Sequence, residues 1–207
     1  MYILGKRLMD IVLASLVLII LSPFLPLMAI CIKLDSPGPV LFRQKRLGKG
    51  GKPFTMYKFR TMQHNAPVVR NADGSNFVGD KDPRLTRLGR FLRSYTLDEI
   101  PQLLNVLKGD MSVVGPRPDP VKILEIYDDF MKRRLEVKPG MASLALVHGR
   151  NALPWRKRVE LDVHYIDHCS LKFDLEILLK GVVLVVLRKG VYSPQDHQSI
   201  VHTNLQE

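Results

Sequence analysis

Apolar positions are spread unevenly along this chain. Residues 11–32, IVLASLVLIILSPFLPLMAICI, are 22 successive uncharged positions. A straight helix of that length is about 33 Å long, enough for a bilayer core of about 30 Å. Ser22-Pro23 interrupts the run, with Pro26 close behind. Each proline removes a backbone donor and pushes against the preceding turn, so the helix should bend there. Ser22 can satisfy some of the backbone groups set free. Lys6 and Arg7 precede the run, and Lys33, Arg43, Lys45 and Arg46 follow it. Basic flanks favour the cytoplasmic side, and here both are basic. A re-entrant helix that dips in, breaks at Ser22-Pro23 and returns satisfies both flanks; a plain crossing does not. A cleaved leader fits less well, because the run is long and PLMAICIKLD is a poor cleavage site.

Beyond the run, shorter patterns predict the remaining elements. Val40–Arg46 and Phe54–Met62 alternate as strands and form a hairpin closed by Gly48–Lys52. Residues 64–84 are poor in large apolar residues and rich in turn formers, and read as a loop. Arg84, Arg87, Arg90 and Arg93 recur every third residue among Leu85, Leu88, Phe91 and Leu92, which predicts a basic amphipathic helix. Further helices are expected over Val121–Leu135 and Trp155–Ile166. The stretch from Lys172 contains an apolar run, Val182–Leu187, too short to span and suited to a surface-lying or core helix. After Tyr192 the polar tail is expected to be disordered. The fold class is therefore α/β. A membrane helix over residues 1–35 precedes a small, compact, mostly helical domain over 36–192, with a β-hairpin and interfacial amphipathic helices. A polar tail over 193–207 follows.

Charge narrows the partners without choosing among them. A net charge of +11 and a pI near 9.8 imply an anion: nucleic acid, phospholipid head groups or a phosphorylated substrate. Cys31 and Cys169 lack Cys-x-x-Cys spacing, so zinc is unsupported and a reduced, cytosol-facing protein fits best. Gly-Lys-Gly-Gly-Lys at 48–52 is not a phosphate-binding P-loop, and Asp73, Asp80 and Asp82 lack the spacing of a calcium loop.

The chemistry concentrates in residues 94–118, SYTLDEIPQLLNVLKGDMSVVGPRP. Asp98 and Glu99 stand at an expected helix N-terminus, where unpaired N–H groups and the positive dipole end favour anions. Thr96-x-x-Glu99 also matches a capping box. Both acids are therefore explicable as caps. They also suit a nucleophile, since a carboxylate can attack phosphorus, and a Mg²⁺ ligand. Arg93 lies just upstream, Arg117 sits in a rigid Gly-Pro-Arg-Pro loop, and Arg150 is in His-Gly-Arg-Asn; arginine forks match phosphate oxygens. Lys58 and Arg60 share one face of the returning strand with Met56 and Met62.

Several segments together resemble the small monotopic phosphoglycosyl transferases of the bacterial sugar transferase family. They are KRLMD at 6–10, the Ser22-Pro23 break, SPGPVLFRQKRLG at 36–48, YKFRTM at 57–62, the long motif at 97–118, KPG at 138–140 and GRN at 149–151. The resemblance implies a re-entrant helix broken at Ser22-Pro23 and a domain on the cytoplasmic face of the bacterial inner membrane, in contact with phospholipids. It implies transfer of a phosphosugar from a nucleotide diphosphate sugar, usually a UDP-sugar, to polyprenol (undecaprenyl) phosphate, with release of UMP. By the same resemblance Asp98 is the nucleophile that carries a covalent phosphosugar. Glu99 joins Asp98 in holding Mg²⁺, and Lys58, Arg93, Arg117 and Arg150 bind phosphates or anionic lipid. Nucleic acid is then not a partner, and self-association stays open. The rival readings, a membrane-tethered nucleic-acid binder or a scaffold, leave the acidic pair and the Gly-Pro-Arg-Pro loop unused. One departure stands out: Leu144 and Leu146 occupy positions where the family commonly carries an aromatic and an amide, which bears on nucleotide or sugar recognition there.

Overall fold

The computed structural model describes residues 2–67, 69–71, 82–149, 153–187 and 200–202. Two helices open the chain, α1 (Tyr2–Leu21) and α2 (Phe24–Asp35), bent by 67° at the break between them. The bend falls at Ser22-Pro23 as the sequence predicts. Ser22 turns its hydroxyl back to the Ile19 carbonyl (2.8 Å), and Pro26 lies in the first turn of α2, where a missing donor costs nothing. Among the described residues no single helix is long and apolar enough to cross a membrane; the bent pair passes that test only together.

The pair is tied to the rest of the molecule at both ends. Tyr2, Lys6 and Asp10 recur at four-residue spacing and so share one face of α1. Tyr2 and Lys6 both donate to the buried Asp174 (3.0 and 2.9 Å), while Asp10 accepts from the Ser112 hydroxyl (2.9 Å) and the Val113 amide (2.8 Å). At the other end Arg60 donates to the carbonyls of Ile32 (3.1 Å), Ser36 (2.7 Å) and Pro37, closing the C-terminus of α2. Between these clamps the pair exposes Ile11, Leu16, Ile19, Phe24, Leu27 and Ile30.

The hairpin forms as β1 (Leu41–Leu47) and β2 (Pro53–Phe59), paired from Leu41↔Phe59 to Leu47↔Pro53. Its reversal uses Gly50 and Gly51 at φ 67° and 73°, a region that favours glycine. Strand β2 stops at Phe59, short of the expected Met62, because Arg60 leaves it to close α2. A short β3 (Val69–Asn71) pairs with β6 (Ile200–His202), so the expected disordered tail contributes a strand; the rest of 193–207 lies outside the described residues. Helix α3 (Arg87–Ser94) begins at its N-cap Thr86, whose hydroxyl accepts from the Gly89 amide (2.9 Å). Arg84 therefore falls outside the helix and pairs with the buried Asp82 (2.7 Å), leaving a stripe of Arg87, Arg90 and Arg93.

Helix α4 (Gln102–Lys108) leads to β4 (Ser112–Val114), which pairs in parallel with β5 (Gly140–Ala142). The long helix expected over Val121–Leu135 does not form. A 3-10 stretch (Val121–Ile126), α5 (Asp129–Lys132) and a second 3-10 turn (Arg133–Leu135) replace it. Asp128 is extended and caps α5 through the Met131 amide (2.7 Å), which lets Tyr127 and Arg134 both turn inward to Asp119. Helices α6 (Leu144–Val147), α7 (Trp155–Asp167) and α8 (Leu171–Val186) complete the order, α7 within one residue of expectation. The main core joins α1, the hairpin, α4, β4 and the last helices through Ala14, Met56, Val106, Val114, Tyr165 and Ile177. Helix α8 leaves Leu175, Leu179, Val182 and Val186 exposed along one side. Among the described residues the protein is thus a mixed fold of helices and three two-stranded sheets with a bent helical N-terminus.

Candidate active site

Asp98 and Glu99 lie in a single 3-10 turn, Leu97–Glu99, just ahead of α4, and both are buried. The chain enters this turn through Thr96, whose backbone is left-handed at φ 59°, ψ 17°. For a β-branched residue that conformation is costly, on the order of 1–3 kcal/mol, and such strain clusters at functional sites. The capping-box reading fails here: the Thr96 side chain makes no capping bond to the turn. The acids are presented by a kink between two helices, not by an ordinary helix start.

Three elements converge on them. Asn105 in α4 donates to the Thr55 carbonyl (2.7 Å) and accepts from the Tyr57 amide (3.1 Å), fixing α4 against β2. That registration sets Lys58 beside the acids, with its ammonium 2.7 Å from Glu99 Oε1 and 3.8 Å from Asp98 Oδ2. From the Gly-Pro-Arg-Pro loop Arg117 reaches the same Oε1 at 2.8 Å. Arg93 is held by the Thr61 hydroxyl (3.2 Å), near enough to act on the charge of Asp98 without pairing to it.

The two carboxylates consequently differ. Burial alone would raise Glu99, but Arg117 and Lys58 outweigh it and hold this group far below the usual carboxylate range. Burial pushes Asp98 up, and Lys58, farther from it than from Glu99, compensates only in part while Glu99 adds repulsion. Among the described residues Asp98 has that one loose ion pair and no hydrogen bond. One acid is clamped and ionised; its neighbour is buried and barely engaged.

The loop carrying Arg117 is gripped from behind. Gly115 and Gly140 pack backbone to backbone, bonded through Gly115 N–Ala142 O (2.9 Å) and Gly140 N–Pro116 O (2.8 Å). Arg134, buried, donates to the Arg117 carbonyl (3.0 Å), to Asp119 and to Asp162 (2.9 Å). Tyr127 (2.8 Å) and the Trp155 indole (3.4 Å) also donate to Asp119. Burial pushes Asp162 up to about 6 despite Arg134. None of Asn105, Asp119, Arg134 or Asp162 was singled out from sequence; the one available signal was Asp119, an acid confined between Pro118 and Pro120.

The structure thus brings Asp98, Glu99, Lys58 and Arg117 into contact, with Arg93 beside them. Arg60 is not part of the site, and Ser22 and Pro23 act only at the helix break. Arg150 lies outside the described residues. Leu144 is buried in the core, and α6 is capped by Ser143 through the Leu146 amide (3.1 Å).

A model of the family described as bacterial sugar transferase matches residues 1–188. The chain belongs to the bacterial sugar transferase family. Among curated relatives, the chain is 45% identical over 186 residues to an uncharacterized sugar transferase, EpsL, of Bacillus subtilis, covering 90% of this chain and 89% of that one. It is 43% identical over 200 residues to the UDP-glucose:undecaprenyl-phosphate glucose-1-phosphate transferase of Escherichia coli, and 41% identical over 198 to the undecaprenyl-phosphate galactose phosphotransferase of Salmonella typhimurium. Each of those matches covers 90% of this chain, which spans only 41% of either relative.

Proposed function

We propose that this sugar transferase moves a phosphosugar from a UDP-sugar to undecaprenyl phosphate through a covalent intermediate on Asp98. The observation that carries the reading is the asymmetry of the acidic pair: Glu99 clamped by Lys58 and Arg117, Asp98 buried and loosely held. In the first step an Asp98 carboxylate oxygen attacks the phosphorus that bears the sugar. An O–P bond forms, the P–O bond to the nucleotide breaks, and UMP leaves with the electron pair. In the second step a phosphate oxygen of the lipid attacks that phosphorus. The Asp98–phosphorus bond breaks and the carboxylate is restored. Lys58, Arg93 and Arg117 offset the charge that develops on the phosphoryl oxygens. The relatives' names, with undecaprenyl phosphate as acceptor and glucose or galactose as sugar, support this class of substrate.

The acidic pair also fits Mg²⁺, which binds through one or two carboxylates together with substrate phosphates. Only Oε1 of Glu99 is engaged by Lys58 and Arg117, and Asp98 has only the loose Lys58 contact at Oδ2, so Glu99 Oε2 and the Asp98 oxygens are available ligands. Bound there, the ion would lower the repulsion between the carboxylates and the substrate's phosphates. The test is UMP release by purified enzyme, assayed with a panel of UDP-sugars and undecaprenyl phosphate, then repeated in chelator. Release should need Mg²⁺. No release from any donor would sink the transfer reaction, and full activity in chelator would remove the metal.

A re-entrant α1–α2 pair on the cytoplasmic face of the inner membrane is part of the same reading. Its support is that Arg7 and Asp10 fasten the start of the pair, and Arg60 its end, to one and the same domain, with the exposed apolar residues between. The outward-facing leucines and valines of α8 suit a helix lying on the same lipid surface. Cysteine probes at positions 2 and 40, in a background lacking Cys31 and Cys169, should react from the cytoplasmic side alone. Labelling from opposite sides would mean a crossing.

A further inference from the structure

Arg158 has no partner in the arrangement above. It stands on α7 three residues after Trp155 and four before Asp162, and so on their side of the helix. Trp155 reaches Asp119 and Asp162 reaches Arg134, so that side faces the exit of the Gly-Pro-Arg-Pro loop. The Arg158 Nε is buried without a hydrogen-bond partner, and its guanidinium forms no ion pair among the described residues. A buried donor left unpaired destabilises a fold, the more so when charged. A partner from outside the chain would account for its presence.

Arg46 approaches the same loop from β1. It donates to the Pro118 carbonyl (3.2 Å) and twice to Gln44 Oε1 (3.1 and 2.6 Å), and like Arg158 it has no carboxylate within ion-pair distance among the described residues. Arg117 is near enough to act on the charge of both, with one nitrogen on Glu99 and 43% of its side chain exposed. The nearby Asp119 is already taken by Arg134, Tyr127 and Trp155. Positive charge is in excess: burial and Arg117 push Arg46 down to about 10. Burial lowers Arg158 too, and the relief from Asp119 is countered by Arg117 and Arg134.

We infer that Arg158, Arg117 and Arg46 form an anion subsite beside the acidic pair that takes a phosphate group of a substrate. The identity of the anion as substrate rests on the proposed transfer reaction; the subsite itself does not. Two substrates carry the right chemistry, the diphosphate of the donor and the phosphate of the lipid.

Calorimetric titration of the full chain in detergent with inorganic pyrophosphate, at fixed ionic strength, tests the subsite without turnover. The wild type should bind, Arg158→Gln should bind about tenfold more weakly or worse, and Arg156→Gln, an exposed neighbour on α7, should match the wild type. Arg158→Gln should melt no lower than the wild type, because it removes a cation whose buried Nε has no partner, yet should lose the rise in melting temperature that pyrophosphate gives. Equal affinity in wild type and Arg158→Gln would overturn the subsite. So would a lower melting point with the pyrophosphate response intact, the mark of a structural arginine. Competition by UDP assigns the subsite to the donor, and competition by a short-chain polyprenol phosphate assigns it to the acceptor. If neither competes, the anion is not a substrate. No UMP release by the wild type from any donor, with pyrophosphate binding intact, would refute the transfer reaction and leave the subsite standing.

Discussion

Replacing Asp98 with asparagine is expected to abolish turnover, by more than about a thousandfold, as removal of a covalent nucleophile does elsewhere. The shape is nearly kept, so the turn should survive. Without lipid acceptor, the wild type should release UMP once per active site and gain the mass of a phosphosugar on the peptide containing Asp98; the variant should do neither. Asparagine is as good a cap as aspartate, so near-normal turnover in Asp98→Asn would return this residue to a structural role. The same experiment has a pH signature. Burial raises the Asp98 carboxyl, and attack needs its ionised form, so the acid limb of turnover should lie above the ordinary aspartate value of about 3.9. A carboxyl raised on folding binds more protons in the native state, so its contribution to stability falls as pH rises from the unfolded toward the folded value. The Asp98→Asn side chain does not titrate, and the variant should be no less stable than the wild type above that window.

The second large effect is expected at Gly140. A Cβ there would lie 2.0 Å from the Gly115 nitrogen and 2.6 Å from its Cα, a clash with backbone that no side-chain rotation relieves. Gly140→Ala should cost about 3 kcal/mol, near the upper end for overpacking, read as a fall in melting temperature in detergent. Turnover should fall further than stability requires, because the strand it displaces backs the loop that holds Arg117 on Glu99. An alanine variant with wild-type melting and activity would show that the two loops can part without consequence.

Gly140 also marks the limit of what the sequence makes legible. Local chemistry was readable where one residue dictates the outcome: Pro23 bends the helix, the glycines at 50 and 51 turn the hairpin, and the period of α7 gives its length. The acids at 98 and 99 could be picked out, but local pattern left them as caps or as reactive groups. Their asymmetry comes from Lys58 and Arg117, which lie 41 residues before Glu99 and 18 after it. The helix expected over Val121–Leu135 fails for a similar reason. Local propensity permits it, but Tyr127 and Arg134 are both drawn to Asp119, and no period in the segment announces that demand. Arg60 looked like a companion of Lys58 because strand alternation was extended past Phe59, where it stops.

The fastening of α1 to the domain carries a consequence for the order in which the molecule assembles. Its turns are made before the rest of the domain, but Asp10 finds its donors at Ser112 and Val113, 102 and 103 residues on, and Lys6 and Tyr2 find Asp174 only 168 and 172 residues on. Contacts of that sequence separation form late, since loop closure must come first. The nascent helix therefore carries an aspartate without its hydrogen-bond donors on the face that later becomes interior, and its first turn gains its last two bonds only once α8 has been translated. Cutting α1 away to obtain a soluble domain would leave Asp174 without Lys6 and Tyr2, and the Val113 amide without its acceptor. The helix that looks like an appendage is the last wall of the domain to close.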